Sequence, residues 1–291
     1  MKKILGILLI FTGLVIALGV VVPDGATEWF SSNHPSQSDS VSVQGVRSIK
    51  IDGNSANVHV IPESRRNVMV KLRDGGNLTV RRSGNTVKIH VNNSWLSWIP
   101  IGDKPMVLDV HVPADYNQNM VFDLHWGNVQ FYGKSAVDPM VLNQLRFDMN
   151  AGNVQLRNLK LQTLNQDGSA GNVNLHQVTA GKASFDISAG NLDLSHFKGQ
   201  LDADISAGRL DAQFDQFNGP IYVNVSAGRV QLDLPETTGF TLNANVSHGN
   251  VSCDLPLKKT IVDDQDHIKG RHGSGEYKVD VRVSNGNIHV E

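Results

Sequence analysis

Cysteine is almost missing: Cys253 is the only one in 291 residues. One thiol closes no intramolecular disulfide and builds no multi-cysteine zinc site, so the fold must be held by packing alone. Charge excess is missing too. Asp and Glu total 28 against 26 Lys and Arg, a formal net charge of −2. That balance gives no reason to expect nucleic acid, which calls for a basic patch. Proline is sparse at 10 residues while glycine reaches 27. Together with many Asn, Asp and Ser residues, this is the composition of short strands joined by frequent turns. Catalytic signatures are absent as well. There is no Gly-x-Ser-x-Gly elbow and no His-Glu-x-x-His, and the 11 histidines are scattered singly. No enzymatic activity is expected.

One long apolar run is present. Lys2 and Lys3 precede nineteen uncharged residues, Ile4 to Val22. As a helix they would span roughly 29 Å, close to the hydrocarbon thickness of a bilayer. The lysines would stay in the cytoplasm and the rest of the chain would lie outside. The competing reading is a cleaved signal peptide with a small-x-small site at Ala17-Leu18-Gly19, but the run continues past that site. Residues 1–22 are therefore expected to be a single-pass anchor in the cell membrane. Residues 23–45, rich in Ser, Asn, Gln and Asp, are expected to be a flexible linker.

From residue 120 onward one short pattern recurs: LHWGNVQF, MNAGNVQL, GSAGNVNL, ISAGNLDL, ISAGRLDA, VSAGRVQL, VSHGNVSC and VSNGNIHV. Its glycines are Gly127, Gly152, Gly171, Gly190, Gly208, Gly228, Gly249 and Gly286, at intervals of 25, 19, 19, 18, 20, 21 and 37 residues. Self-similarity at a fixed period marks a repeat architecture. Two and four residues after each glycine, and three before it, the positions are mostly apolar, which is the period-2 signature of strands with one buried face. The glycine permits a positive φ or a close backbone approach at the bend between them. No unit of about 19 residues can bury its own apolar face, but stacked units share a continuous core.

The expected fold is therefore all-β: a β-solenoid of single-stranded, β-helix-like coils occupying 116–291, preceded by one transmembrane helix. Eight coils at about 4.8 Å would rise roughly 38 Å. The alternative is an antiparallel meander of Ser-Ala-Gly-Asn hairpins. In the solenoid, equivalent residues of successive repeats are nearest neighbours; in the meander they are two strands apart. Residues 46–115 also read as β and are expected to cap the stack, with NSANVHV at 54–60 as a degenerate copy of the repeat. An insertion at 257–278 precedes the last repeat.

Several columns of the repeat carry chemistry. Four residues before the glycines stand Asp123, Asp148, Asp167, Asp186 and Asp204. Stacked at coil spacing, neighbouring carboxylates would repel by about 0.9 kcal/mol in water. Asp148, Asp167, Asp186 and Asp204 are thus a candidate cation ladder for Ca²⁺; no other cofactor is expected. The bland account is solvation or nearby Lys and Arg. Asn128, Asn153, Asn172 and Asn191 form a candidate asparagine ladder, which Arg209 and Arg229 continue. These arginines are expected to pair with Asp193, Asp211 or Asp233; the alternative is an acidic polymer. Trp95 and Trp98, in NNSWLSWIPIG, and Asp263, Asp264 and His267, in the insertion, are the candidate partner-binding residues; the alternatives are a plug over the solenoid end for the tryptophans and a solvated charged loop for the insertion. Cys253 falls on an inward column and is expected to be buried.

The lysine-start anchor, the polar spacer, VLDVHVPAD, the serial Ser-Ala-Gly-Asn-Val repeats and the final GSGEYKVDVRVSNGNIHV resemble the putative-adhesin family of unknown function. The likeness is closest to its membrane-anchored members associated with cell-envelope stress in Gram-positive bacteria. The resemblance covers nearly the whole chain. It implies an extracytoplasmic β-solenoid with a part in envelope stress, and it carries over no catalytic residues. The expected function is to bind or sense an envelope polymer, another envelope component or a membrane-protein partner. A surface adhesin, a glycan-processing enzyme using the Asp column and a ligand-free structural element are the rival readings.

Overall fold

Parallel pairing between successive repeats separates the two architectures. The structure, a computed structural model, describes residues 37–73, 75–92, 106–263 and 265–291. The expected anchor and most of the expected linker lie outside them, and among the described residues no helix is long and apolar enough to cross a membrane. The described chain is all strand and turn, in one 13-stranded sheet.

Strand β7 (Asn119–Tyr132) runs parallel to β8 (Met140–Gln216), with Gly127 opposite Gly152 and Asn128 opposite Asn153. Toward its C-terminal end β8 pairs in the same sense with β9 (Ile221–Asp233), Gly208 opposite Gly228. The 77 residues of β8 form one uninterrupted ribbon passing through four glycine levels. A hairpin meander would pair antiparallel, so the stack is solenoid-like.

Each coil bends at its glycine. Between Gly127 and Gly286 the column has φ of +141° to +155°, a region that side chains with a Cβ avoid. A Cβ on Gly190 would fall into the carbonyl oxygen of Gly171, and the same collision repeats up the column. The bend also switches the parity of the inward positions. Around Gly208, Leu201, Ala203 and Ile205 are buried before the corner, and Leu210, Ala212 and Phe214 after it. A second corner follows at Asn158, Gln177 and His196, each left-handed with φ of 53° to 54°. Aromatic residues stack up the core: Phe122 lies 4.8 Å from Phe147, and Phe197, Phe214 and Phe217 form a chain of edge contacts.

One level has a defect. Gly168 stands in a column otherwise occupied by large apolar residues such as Met149 and Ile187. The Gln166 side chain from the same coil fills part of that space, since a Cβ on Gly168 would meet its Nε2 at 2.8 Å. Gln166 is 8% exposed and its Oε1 has no hydrogen-bond partner.

The N-terminal end is closed by β2 (Ser48–Glu63), parallel to β7, with Ala56 and Asn57 opposite Gly127 and Asn128. NSANVHV thus occupies a repeat level. Below it, β5 (Thr86–Asn92) and β6 (Val107–Pro113) pair with the two halves of β2 and share one further level. Antiparallel strands then end the stack: β3 (Asn67–Arg73) on β6, β4 (Asn77–Ser83) on β5, and β1 (Gln37–Ser42) on β3. Residues 37–42, read from sequence as linker, are therefore an edge strand. The Gln37 amide fixes it by donating to Gly76 O at 3.0 Å and accepting from Leu78 N at 2.9 Å.

The C-terminal end departs from sequence order. The last repeat, β13 (Tyr277–Val290), lies between β9 and β10 (Phe240–Cys253), parallel to both. The insertion supplies the reason. Its strands β11 (Lys258–Asp263) and β12 (His267–His272) form a hairpin, and β12 pairs antiparallel with β10. With that edge of β10 taken, the last repeat fits only on its inner side. The hairpin strand pairs with β10 as far as Asn245, and its turn reaches further, with Val246 N donating to Asp266 O at 2.8 Å and Val251 N to Gln265 O at 2.9 Å. Cys253, beyond those bonds, is half-buried rather than buried, with its Sγ donating to Leu255 O at 3.8 Å.

Gly190→Ala is expected to cost about 3–5 kcal/mol in urea unfolding, from forbidden φ and collision together. Gly84→Ala, at φ +59° with nothing within 4 Å, should cost only about 1 kcal/mol. Equal losses would remove the stacking explanation. Gln166→Leu should raise stability by about 1–2 kcal/mol by eliminating an unsatisfied buried acceptor, which the same unfolding curve reads.

Candidate binding surface on the outer corner

The residue after each corner glycine points outward, and parallel register makes it the neighbour of its equivalent one coil away. Asparagine there can donate down and accept from above. The ladder expected from sequence forms. Asn128 Nδ2 donates to Asn57 Oδ1 at 2.8 Å, Asn153 to Asn128 at 2.7 Å, Asn172 to Asn153 at 3.0 Å and Asn191 to Asn172 at 2.8 Å.

Above Asn191 the column changes character. Arg209 and Arg229 are exposed and directly opposite each other, followed by Asn287 and Asn250. Local pairing with Asp193, Asp211 or Asp233 was the expectation, and the structure corrects it. Neither guanidinium has an ion pair or hydrogen bond to any described residue. Pairs at this spacing do form elsewhere in the chain, as between Lys278 or Arg282 and Asp280, so distance along the strand alone does not keep Arg209 from Asp211. Two like charges thus stand opposite each other, an arrangement that destabilises a sheet.

The aspartate column is in register as well, and it extends one level further than the repeat suggested. Asp52 lies opposite Asp123, and Asp123 opposite Asp148. Several of its charges are offset locally. Lys50 Nζ sits 2.8 Å from Asp123 Oδ2, and that hydrogen bond holds the ammonium above the ordinary lysine range against the opposing effect of burial. His90 lies 3.2 Å from Asp52, Arg146 lies 3.8 Å from Asp148, and Asn224 donates to Asp204 at 3.1 Å. Asp167 and Asp186, between them, have no such partner. Among the described residues no three Asp, Glu, His or Cys groups converge around a common point. A cation on this column would therefore bridge carboxylates of neighbouring coils only.

Of the candidate partner-binding residues, only Asp263 and His267 are among those described. Trp95, Trp98 and Asp264 lie outside the described residues. Asp263 ends β11 opposite Ile268. His267 is half-buried and turned inward on the chain, its Nε2 3.0 Å from Asn243 Oδ1.

Sequence reasoning passed over Trp126. It is 62% exposed, directly before the corner glycine, where the next five levels carry alanine. The signal was visible as LHWGN among copies of SAGN. On the outer face before the corner, sequence reasoning singled out Asp204 but passed over Asp202, Tyr222, Lys278 and Asp280. There Asp280, only 5% exposed, is held between Lys278 and Arg282.

A family model, Toastrack DUF4097, matches residues 46–291. The chain belongs to the Toastrack DUF4097 family. Solved structures with a similar fold include a putative adhesin of Bacteroides fragilis, 16% identical, covering 89% of this chain and 98% of that one, with a TM-score of 0.52. Another is a putative adhesin of Parabacteroides distasonis, 14% identical, covering 89% and 98%, with a TM-score of 0.47. At such identities the likeness concerns the fold alone. No curated protein matches the sequence. In this Toastrack chain the functional reading therefore rests on the columns themselves.

Asp186→Asn removes a charge flanked by Asp167 and Asp204 and is expected to raise the melting temperature in low salt and chelator, by at most about 1 kcal/mol of stability, with the gain shrinking in high salt. Repeating the melt with millimolar Ca²⁺ separates two causes. An equal gain with and without Ca²⁺ means repulsion alone, whereas a Ca²⁺ stabilisation that the variant loses means a bridging cation.

Proposed function

We propose that this Toastrack protein is a non-enzymatic, membrane-anchored module whose solenoid stands outside the cytoplasm and binds an anionic component of the cell envelope. The observation that carries the reading is the Arg209–Arg229 pair. Two opposed guanidiniums stand where the hydrogen-bonded amide ladder ends, at positions where asparagine could extend it. The sequence gives up ladder bonds and accepts like-charge repulsion at adjacent coils, and no carboxylate among the described residues pairs with either arginine. Departures from local rules of this kind concentrate at functional sites. An external anion would convert the cost into charge-assisted, forked hydrogen bonds.

The corner around the pair suits an extended ligand, since exposed Ser206 and Ser226 recur at the same two levels, three residues before the arginines. The uncharged run from Ile4 to Val22 supports the anchor, and with it a position close to the membrane surface, where sensing of envelope stress would be exercised.

Full-length protein sedimented with isolated cell envelopes should bind in a salt-dependent manner. The double variant Arg209→Asn/Arg229→Asn should bind about tenfold to a hundredfold more weakly and show a flatter salt dependence. Its melting temperature should be unchanged or higher, because the asparagine ladder is then continuous. Undiminished envelope binding by this variant would sink the reading.

A further inference from the structure

On the outer face before the glycine corner, three coils present a grid in register. Asp202 and Asp204 come from β8, Tyr222 and Asn224 from β9, and Asp280 and Arg282 from β13. They line a depression of about 310 Å³ together with Lys278, at the lower end of the range for small-ligand sites. Its position follows from the fold. Only because β13 is inserted beside β9 do residues about 60 positions apart in sequence share this surface.

The floor is rigid and already neutralised. Asp280 points to the solvent side of the sheet, yet only 5% of it is exposed. Lys278 Nζ approaches its carboxylate at 2.9 Å and Arg282 Nε at 3.2 Å. The Lys278 ammonium also lies 5.1 Å from the centre of the Tyr222 ring. Tyr222 is held from one side and remains 39% exposed.

The rim offers hydrogen-bonding groups of both kinds. Asp204 accepts from Asn224 through Oδ1 at 3.1 Å, which leaves its second oxygen and the Asn224 carbonyl free to accept. Arg282 contacts Asp280 through Nε and Nη2, which leaves Nη1 to donate. Within the lining Lys278 and Arg282 face Asp202, Asp204 and Asp280, and the remaining carboxylate is balanced from just outside it, where Lys182 lies 3.3 Å from Asp202.

We infer that this depression is a saccharide subsite for a neutral hexose or N-acetylhexosamine unit. A site with no net charge has no reason to select an anion or a cation, whereas alternating donors and acceptors beside an exposed aromatic ring match the hydroxyls and the apolar C–H face of a sugar. Asp280 is a positioning residue. It fixes Arg282 and Lys278, and through Lys278 the ring. The subsite is separate from the arginine pair, although both lie on coils of β8 and β9.

The test uses full-length protein kept soluble in a detergent without a sugar headgroup. Saturation-transfer NMR is run with a panel of neutral tetrasaccharides of gluco, galacto, manno and N-acetylglucosamine type at up to about 10 mM. At least one member should bind, and Tyr222→Ala should weaken that binding about tenfold with an unchanged melting temperature. Asp280→Asn should weaken it as well. Should that buried change unfold the protein, Arg282→Gln at the exposed rim reads the same geometry. Arg209→Asn/Arg229→Asn should leave sugar binding intact, so the subsite and the anion reading fail separately. No binding by any panel member, or binding that Tyr222→Ala leaves within twofold, overturns the proposal.

Discussion

Along the corner of the stack, the carbonyl oxygen of one coil occupies the place where the next coil would carry a Cβ. From Gly152 to Gly228, and again at Gly286 and Gly249, each level rests on a glycine carbonyl in this way. Because the column tolerates only glycine at φ near +145°, the bend of every coil falls at the same height in its repeat. Register is then forced on everything else. Inward positions meet inward positions, so Phe122 lies on Phe147. Outward positions meet their own kind, so asparagine meets asparagine and aspartate meets aspartate. The amide ladder and the repulsion in the acidic column are two results of one steric rule. Asparagine gains from being stacked on itself and a charge does not.

Most of this was legible because glycine announces the rule in one letter. The all-β class, the parallel stacking, the asparagine ladder and the repeat level hidden in NSANVHV all follow from aligning the chain on one residue. The second corner was not legible. Its left-handed residues are Asn158, Gln177 and His196, three types with no common letter, because a short left-handed excursion tolerates several polar side chains where the collision at the first corner tolerates none. Nor does the alignment reveal that Gly168 removes a core side chain. A glycine in an apolar column looks like a gap in a pattern until Gln166 is seen filling it.

Two further misses share a different cause, which is that local sequence does not encode order in the stack. VSNGNIHV pairs as well with β9 as with β10, and its place between them is decided by the hairpin of β11 and β12 occupying the far edge of β10. Likewise QSDSVS reads as linker, since an edge strand facing solvent needs little apolar character, and its place on β3 is held by the Gln37 amide. The arginine pair is the converse case. The two residues were easy to find, but whether an aspartate nearby reaches them is a matter of rotamer and spacing that no alignment of repeats contains.

A stack of this kind is close to one-dimensional, each level interacting with the two beside it. Its stability is a sum over levels, so a departure at one level costs that level and leaves the others standing. This permits a division of labour along the axis. The levels at Gly152, Gly171 and Gly190 keep the ladder unbroken on their surface. The levels at Gly208, Gly228 and Gly286 carry the opposed arginines, Tyr222 and the clamped Asp280. The Gln166 defect breaks the pattern in the core and presents nothing to solvent, whereas the departures at the later levels are all outward-facing. Insertion of β13 strengthens the contrast. It brings Glu291 against β9, where Gln231 Nε2 donates to Glu291 Oε1 at 2.8 Å, and it sets outward residues from a distant segment beside those of β9. A repeat that must be uniform in its corner and core can be specific only on its outer face, and this chain varies that face most where it also departs from sequential order.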